Sequence, residues 1–354
     1  MWKTRICDLF GIEYPILQSP RSYPITPQLV AAVSNAGGLG ICSTNSMVDH
    51  ESNDPEVRAE QMRWEIREVR KLTDKPIGVN LRARVVHSDR KGLDKYSPIE
   101  LAVIQVVIEE EVPIAFTTLG NPDAMIAKLH EAGMKVMHIG TTVRHANKAE
   151  EAGADAFVCA GYEAAGHDPG HGDTTIFTVL PQVVDAVQIP VLAGCGVADA
   201  RGLTAAFALG AEGIVMCTRF LATHESRLHA KVKQAMVAAN DTATVAWGKR
   251  LGTGLGRTLK NKFTEGYLER EIHGASAEEL QAFMVGYQDP AERSLDRRAG
   301  GYFAPDLEWG EIYMGAVVGL IREIKHAGDV VTDMVRDAEK VLARLNANSV
   351  PTRQ

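Results

Sequence analysis

Two glycines and a Cys-Thr pair carry the most specific chemical signal in this chain. They lie in Ile189 to Glu225, IPVLAGCGVADARGLTAAFALGAEGIVMCTRFLATHE. Val191 to Ala193 is a short apolar run of buried-strand type, and Gly194 and Gly196 permit a tight turn with positive φ. Asp199 is placed to cap a helix whose buried face is Leu203, Ala206, Phe207 and Gly210. A second buried run, Gly213 to Met216, ends in Cys217-Thr218 and a short helical start at Arg219. Two such loops side by side offer backbone N–H groups and a positive dipole end without bulky side chains in the way, which is what a phosphate needs. An ordinary βαβα repeat whose glycines only make turns has the same spacing, so the residues alone leave both readings open.

His167 is the second chemical candidate, at the end of GYEAAGH and just after a predicted strand. Imidazole titrates near neutrality, so it can accept a proton from a carbon acid or donate one to a developing anion. A histidine that only hydrogen-bonds neighbouring loops would sit there equally well. His171, in a PGHG turn, reads as a plain loop residue, and a His167/His171 metal site lacks a further ligand at recognisable spacing. Glu163 could orient His167 or cap the loop, and the capping role is the simpler one. Asn80, ending another predicted strand, has an amide that can donate and accept, or is a turn residue.

The elements that must hold these residues alternate along the chain. Strand candidates are Tyr14 to Gln18, Gly38 to Cys42, Pro76 to Asn80, Val112 to Thr117, Met134 to Gly140, Ala154 to Cys159, and the two runs above. Helical periodicity follows each, including Thr26 to Ala36, Asp54 to Lys71, Ser97 to Glu111, Asn121 to Ala132, Val143 to Ala152 and Thr175 to Val187. Eight strand-helix units argue for an α/β fold of the (β/α)8 TIM-barrel kind over an open sheet. In such a barrel a residue just past a strand faces the active-site mouth, and a phosphate site lies after strands seven and eight. The expected organisation is a barrel over 1–251, an insertion over 252–305 and a C-terminal helical segment over 306–354. Two polar excursions carry clustered cations: 81–96, with Arg82, Arg84 and His87, and the insertion, with Lys260, Lys262, Arg293, Arg297 and Arg298. Such runs are usually solvated faces.

With 354 residues, 45% hydrophobic and 23% charged, the chain has material for one large core. A formal net charge of −7 gives no general attraction to nucleic acid or anionic membranes. No stretch approaches the ~20 apolar residues of a membrane span. The N-terminal MWKTRICDLFGIEYP has no secretory h-region, so a cytoplasmic protein is expected. Five scattered cysteines fit reduced thiols, and Cys42, Cys159, Cys195 and Cys217 fall at predicted strand ends as packing residues.

The Ile189 to Glu225 stretch resembles the flavin mononucleotide (FMN) phosphate signature of the nitronate monooxygenase family, formerly 2-nitropropane dioxygenases, whose members read close to AAGGIADGRG…ALGADGVQMGTRFLAT. GIEYPILQSP with ITPQLVAAVSNAGGLGIC is similar to the family's opening, GVNLRAR to its third-strand loop, EEAGADAFVCAGYEAAGH to its sixth, and DLEWGEIYMGAVVGLIREI to its closing segment. The resemblance covers most of the chain. It implies FMN as cofactor, with Pro20, Arg21, Asn80 and Ala165 as cofactor contacts. It also implies contacts from Gly194, Gly196, Val215, Met216, Cys217 and Thr218, and His167 as the catalytic base. The implied activity is oxidation of alkyl nitronates with O2 to a carbonyl compound and nitrite. An NAD(P)H-dependent enoyl-thioester or quinone reductase in the same fold is the alternative, and a non-catalytic flavin or phosphate-ligand binder a third. A homo-oligomer is compatible with any of them.

Departures from the family pattern cluster around the expected ring. The family's QAPM is Gln18-Ser19-Pro20-Arg21 here, putting a cation where a methionine would lie. Ala160 replaces glutamine, Ala165 and Cys217 replace glycines, and Ala316 replaces the glutamine of AGQ. Convergence of Arg21, Arg82 and Arg84 at the mouth would suit an anionic small-molecule substrate.

Overall fold

The chain is described as a computed structural model covering residues 2–20, 24–43, 52–167, 173–251, 256–285 and 306–347. Arg21, His171, the cations at 293, 297 and 298, and the side chain of His167 lie outside that description.

Eleven strands occur among these residues. They are β1 (Ile16–Gln18), β2 (Gly40–Cys42), β3 (Ile77–Arg82), β4 (Ile114–Thr118), β5 (Lys135–Gly140), β6 (Ala156–Cys159), β7 (Gly166–His167), β8 (Val191–Ala193), β9 (Gly213–Met216), β10 (Thr244–Trp247) and β11 (Gly256–Leu259). Eight form one parallel sheet in the order β1-β9-β8-β6-β5-β4-β3-β2. A parallel bridge between Leu17 and Leu39 joins the two ends, with Gln18 N–H donating to the Leu39 carbonyl at 2.9 Å. Closure makes a (β/α)8 barrel and leaves no sheet edge exposed. Gln18 is buried in that seam, where its Oε1 accepts the Ile41 N–H at 2.9 Å and its Nε2 donates to the Ser19 carbonyl.

Strand alternation divides the core in two. Leu17, Ile41, Phe116, Met137, Val158, Leu192 and Val215 fill the barrel interior, whereas Ile16, Cys42, Val79, Ala115, Phe157, Ala193 and Met216 face the surrounding helices. The helices start where the sequence can cap them. Thr26, Asp54 and Ser97 accept first-turn N–H groups, each followed by a proline that has no N–H to satisfy.

Three features go beyond the alternating pattern. A helix at Arg5–Phe10 brings Ile6 and Phe10 into the interior cluster and so plugs the barrel. A small antiparallel sheet, β10-β11-β7, sits beside the loop after β6. Its Trp247 Nε1 donates to Thr258 Oγ1 at 2.9 Å while the indole meets Phe263 and Tyr267 edge-on. Finally, the chain from 311 returns over the mouth, with Tyr313 bridging to Thr258, before a helix at Ala327–Ala347 buries Val330, Val331 and Met334 against the helices Ala200–Ala208 and Pro27–Asn35. The segment expected to start at 252 therefore contributes β11, which pairs with β10 on the barrel side of that boundary.

Candidate active site

Continuing the alternation one step past the apolar interior gives Ser19, Asn80, Thr118, Ala160, Gly194 and Cys217 as the next inward positions at the C-terminal ends of the strands. With Ser43 just past β2 and Ile139 on β5 completing this level, all but Ile139 are small or polar, in contrast to the apolar layer beneath. Asn80 is buried there and accepts a bond from Thr118 Oγ1 at 3.3 Å.

Of the two glycines expected to turn with positive φ, Gly196 does so and Gly194 does not. A Cβ on Gly194 would come within 2.6 Å of Val158 Cγ1, and Gly196 has φ +76° with Ile176 Cγ2 2.8 Å from where its Cβ would be. Both positions accept only glycine, one for space and one for backbone conformation. Gly194, Cys195 and Gly196 are half-buried while the strand below them is fully buried, so the loop presents backbone toward the mouth. In the neighbouring loop Thr218 is 3% exposed and its Oγ1 accepts the Gly315 N–H at 2.9 Å. No acceptor for the hydroxyl's own proton occurs among the described residues. Such a donor, buried with its proton unclaimed, fits an oxyanion ligand.

The loop after β6 is tied at several points. Glu163 accepts the Ile176 N–H at 2.9 Å, which starts the helix Ile176–Ala186, so it is a capping residue. Its carbonyl accepts the Ala316 N–H at 3.0 Å, and Gly161 N–H donates to Cys195 Sγ at 2.9 Å. The backbone of Gly166 and His167 pairs with Arg257 and Gly256. The returning chain thus binds both Thr218 and Glu163, joining the loops after β6 and β9.

Arg82 is turned toward Glu100 at 3.9 Å, at the start of the helix Pro98–Glu109, and Arg84 is exposed. The expected convergence of arginines at the mouth therefore loses Arg82, whose carboxylate partner draws it outward. Burial raises the Glu100 carboxyl above its ordinary value despite that cation. Cys42 and Cys159 lie on the helix-facing side, and burial pushes the Cys159 thiol up to about 12. Neither is a nucleophile at neutral pH.

Two buried polar residues escape sequence reasoning. His138 on β5 faces the helix layer, its Nδ1 2.9 Å from Thr117 Oγ1, and burial lowers it to about 4, so it is neutral. Arg257 on β11 is buried, donating from Nε to the Tyr162 carbonyl at 3.2 Å and from Nη1 to Thr244 Oγ1 at 3.2 Å. The only sequence cue for it is an arginine within the short β-like run GRTL.

A closed parallel barrel with a glycine cradle after its seventh and eighth strands, and a strapped loop after its sixth, is the layout of a TIM-barrel enzyme. Residues 3–337 match the family model for nitronate monooxygenase. The chain belongs to that family, and it is an oxidoreductase. It is 31% identical to the (3aS,4S,5R,7aS)-5-hydroxy-7a-methyl-1-oxo-octahydro-1H-indene-4-carboxyl-CoA dehydrogenase of Rhodococcus jostii (strain RHA1), over 98% of both chains. It is 33% identical to a probable nitronate monooxygenase of Staphylococcus aureus (strain JH9), over 75% of this chain and 81% of that one. Among solved structures, FabK from Thermotoga maritima superposes with a TM-score of 0.83 at 34% identity, over 98% of this chain and 99% of that one.

Proposed function

We propose that the protein is an FMN-dependent oxidoreductase that oxidises alkyl nitronates with O2 to a carbonyl compound and nitrite, with His167 handling the proton. The observation that carries the FMN reading is the cradle: two positions that admit only glycine, beside a buried Thr218 hydroxyl whose proton has no acceptor among the described residues. A phosphate monoester supplies the missing acceptor, and its charge suits the surrounding N–H groups. Bound there, FMN would supply the electron-transfer chemistry. Gly194, Gly196, Cys217 and Thr218 would hold its phosphate end over the strand carrying Val215 and Met216. Pro20, Arg21, Asn80 and Ala165 would border its ring. His167 would take a proton from the carbon of a neutral nitroalkane at its imidazole, and would have none to take from a preformed nitronate.

A second reading is redox chemistry on a coenzyme A thioester. It is favoured by the full-length match to a CoA-ester dehydrogenase, since the Staphylococcus relative aligns with only 75% of the chain. One experiment separates them. Purified protein is mixed anaerobically with ethyl nitronate, NADH or NADPH, and the flavin absorbance is followed. Bleaching by nitronate with subsequent oxygen uptake supports the first reading. Bleaching by a nicotinamide alone rejects it in favour of the second, and colourless protein that does not take up FMN rejects both.

A further inference from the structure

Arg257 is a buried cation beside the loop after β6, and no carboxylate among the described residues answers it. It is 9% exposed, and its contacts are the Tyr162 carbonyl, the Thr244 hydroxyl and the Tyr162 ring, whose centroid lies 4.7 Å from the guanidinium carbon. All are uncharged, and among the described residues no Asp or Glu pairs with it. Several other arginines are answered by carboxylates, Arg5 by Glu212, Arg63 by Glu60, Glu109 and Glu110, and Arg336 by Asp333 and Asp337, while the buried Arg219 donates to the Ala222 and Glu323 carbonyls. A guanidinium taken out of water without a counter-charge is costly, and a ligand anion removes that cost.

Its position links it to the chemistry. Tyr162 follows Gly161, which bonds Cys195 inside the glycine cradle, and the Arg257 backbone pairs with Gly166, next to His167. The guanidinium therefore contacts the loop after β6 at Tyr162, one residue from the glycine that bonds Cys195. The Tyr162 ring against it is left partly in solvent, at 38% exposure. The Tyr162 N–H donates to the Thr174 carbonyl at 2.9 Å, which fixes the backbone that carries the ring.

We infer that Arg257 anchors an anionic group of the substrate, a carboxylate or a phosphate, while Tyr162 takes the apolar part beside it. This rests on the mouth being the substrate site, and is independent of whether nitronate or thioester is the reactant.

The test uses Arg257→Gln, which keeps a donor for the Tyr162 carbonyl but removes the charge, and Arg257→Lys, which keeps the charge. Binding to the flavin-loaded protein is measured by calorimetry with two matched pairs: 3-nitropropionate against 1-nitropropane for a carboxylate, and coenzyme A against pantetheine for phosphate. Arg257→Gln is expected to weaken the anionic member of one pair about ten- to hundred-fold and the uncharged member by no more than about twofold, with Arg257→Lys between. Which pair responds identifies the source of the anion. Flavin content and melting temperature should match the wild type. Equal losses for charged and uncharged ligands would mean that Arg257 only holds the loop. Loss of flavin affinity with unchanged ligand selectivity would assign the charge to the cofactor phosphate, and a wild type that prefers neither anion would also overturn the inference. If the protein takes up no flavin, the FMN reading fails first, and the same titrations on the flavin-free protein still read Arg257.

Discussion

At the residue scale, the proposed base, the phosphate donor and a buried histidine make separable predictions. His167→Ala should leave flavin content near wild type and lower turnover of a neutral nitroalkane by about 10²-fold or more, with preformed nitronate affected far less. Steady-state oxygen uptake on the two forms checks it, and equal losses would make His167 a positioning residue. Thr218→Val removes both the bond from Gly315 and the unclaimed proton, so FMN affinity should fall about tenfold, read by fluorescence titration of the apoprotein. His138 predicts a pH dependence of stability. Burial lowers its folded value to about 4, below its ordinary 6.5, so between those values the unfolded chain binds the extra proton. Its contribution is full above pH 6.5 and lost as pH falls toward 4. His138→Gln should flatten that part of the urea midpoint against pH, and an unchanged slope would place the titration elsewhere.

At the element scale, the loops matter more than the strands they follow. Gly196→Ala would put a Cβ 2.8 Å from Ile176 Cγ2 at φ +76°, an arrangement that costs an L-residue roughly 1–2 kcal/mol before any clash. Lost flavin with an intact circular-dichroism spectrum is the expected outcome. The helix at Arg5–Phe10 makes a different kind of prediction, because its role is packing. Phe10 is buried in the interior cluster, and Phe10→Ala should cost about 3–5 kcal/mol in urea unfolding without changing flavin affinity in the folded enzyme. That helix has six residues, too short for its three buried side chains to announce a periodicity, so it is not legible before folding. β10 and β11 escaped for a related reason. Four-residue runs such as TVAW and GRTL become strands because they find each other and β7, a choice made by tertiary contact.

At the scale of the whole molecule, the mouth is assembled from segments far apart in the chain. Residues 311–320 reach the loop after β9 through Thr218 and the loop after β6 through Glu163, and the same returning chain leads into the helix that packs on the barrel. Insertion, strap and barrel should therefore unfold together. Urea transitions followed by far-UV circular dichroism and by fluorescence, to which Trp247 in the small sheet contributes, are expected to coincide. An earlier fluorescence transition would show a separately unfolding unit over the sheet.

The barrel itself was written in the sequence, since period-two apolar runs alternating with capped, amphipathic helices leave few ways to bury all of them. Thr26-Pro27, Asp54-Pro55 and Ser97-Pro98 mark helix starts by chemistry local to each pair. The glycine cradle was legible for the same reason: what Gly194 and Gly196 do depends on the missing Cβ, and that is visible in one letter. Charge was not legible in this way. Arg82 reads as one cation of a polar excursion and Arg257 as nothing more than a letter in GRTL, and only the packing of the helix Pro98–Glu109 gives Arg82 a carboxylate. Only the pairing of β11 with β7 buries Arg257 against the Tyr162 carbonyl, with no carboxylate partner among the described residues. The value of a charge is set by its distance to other charges and to water, and neither distance exists until the chain has folded.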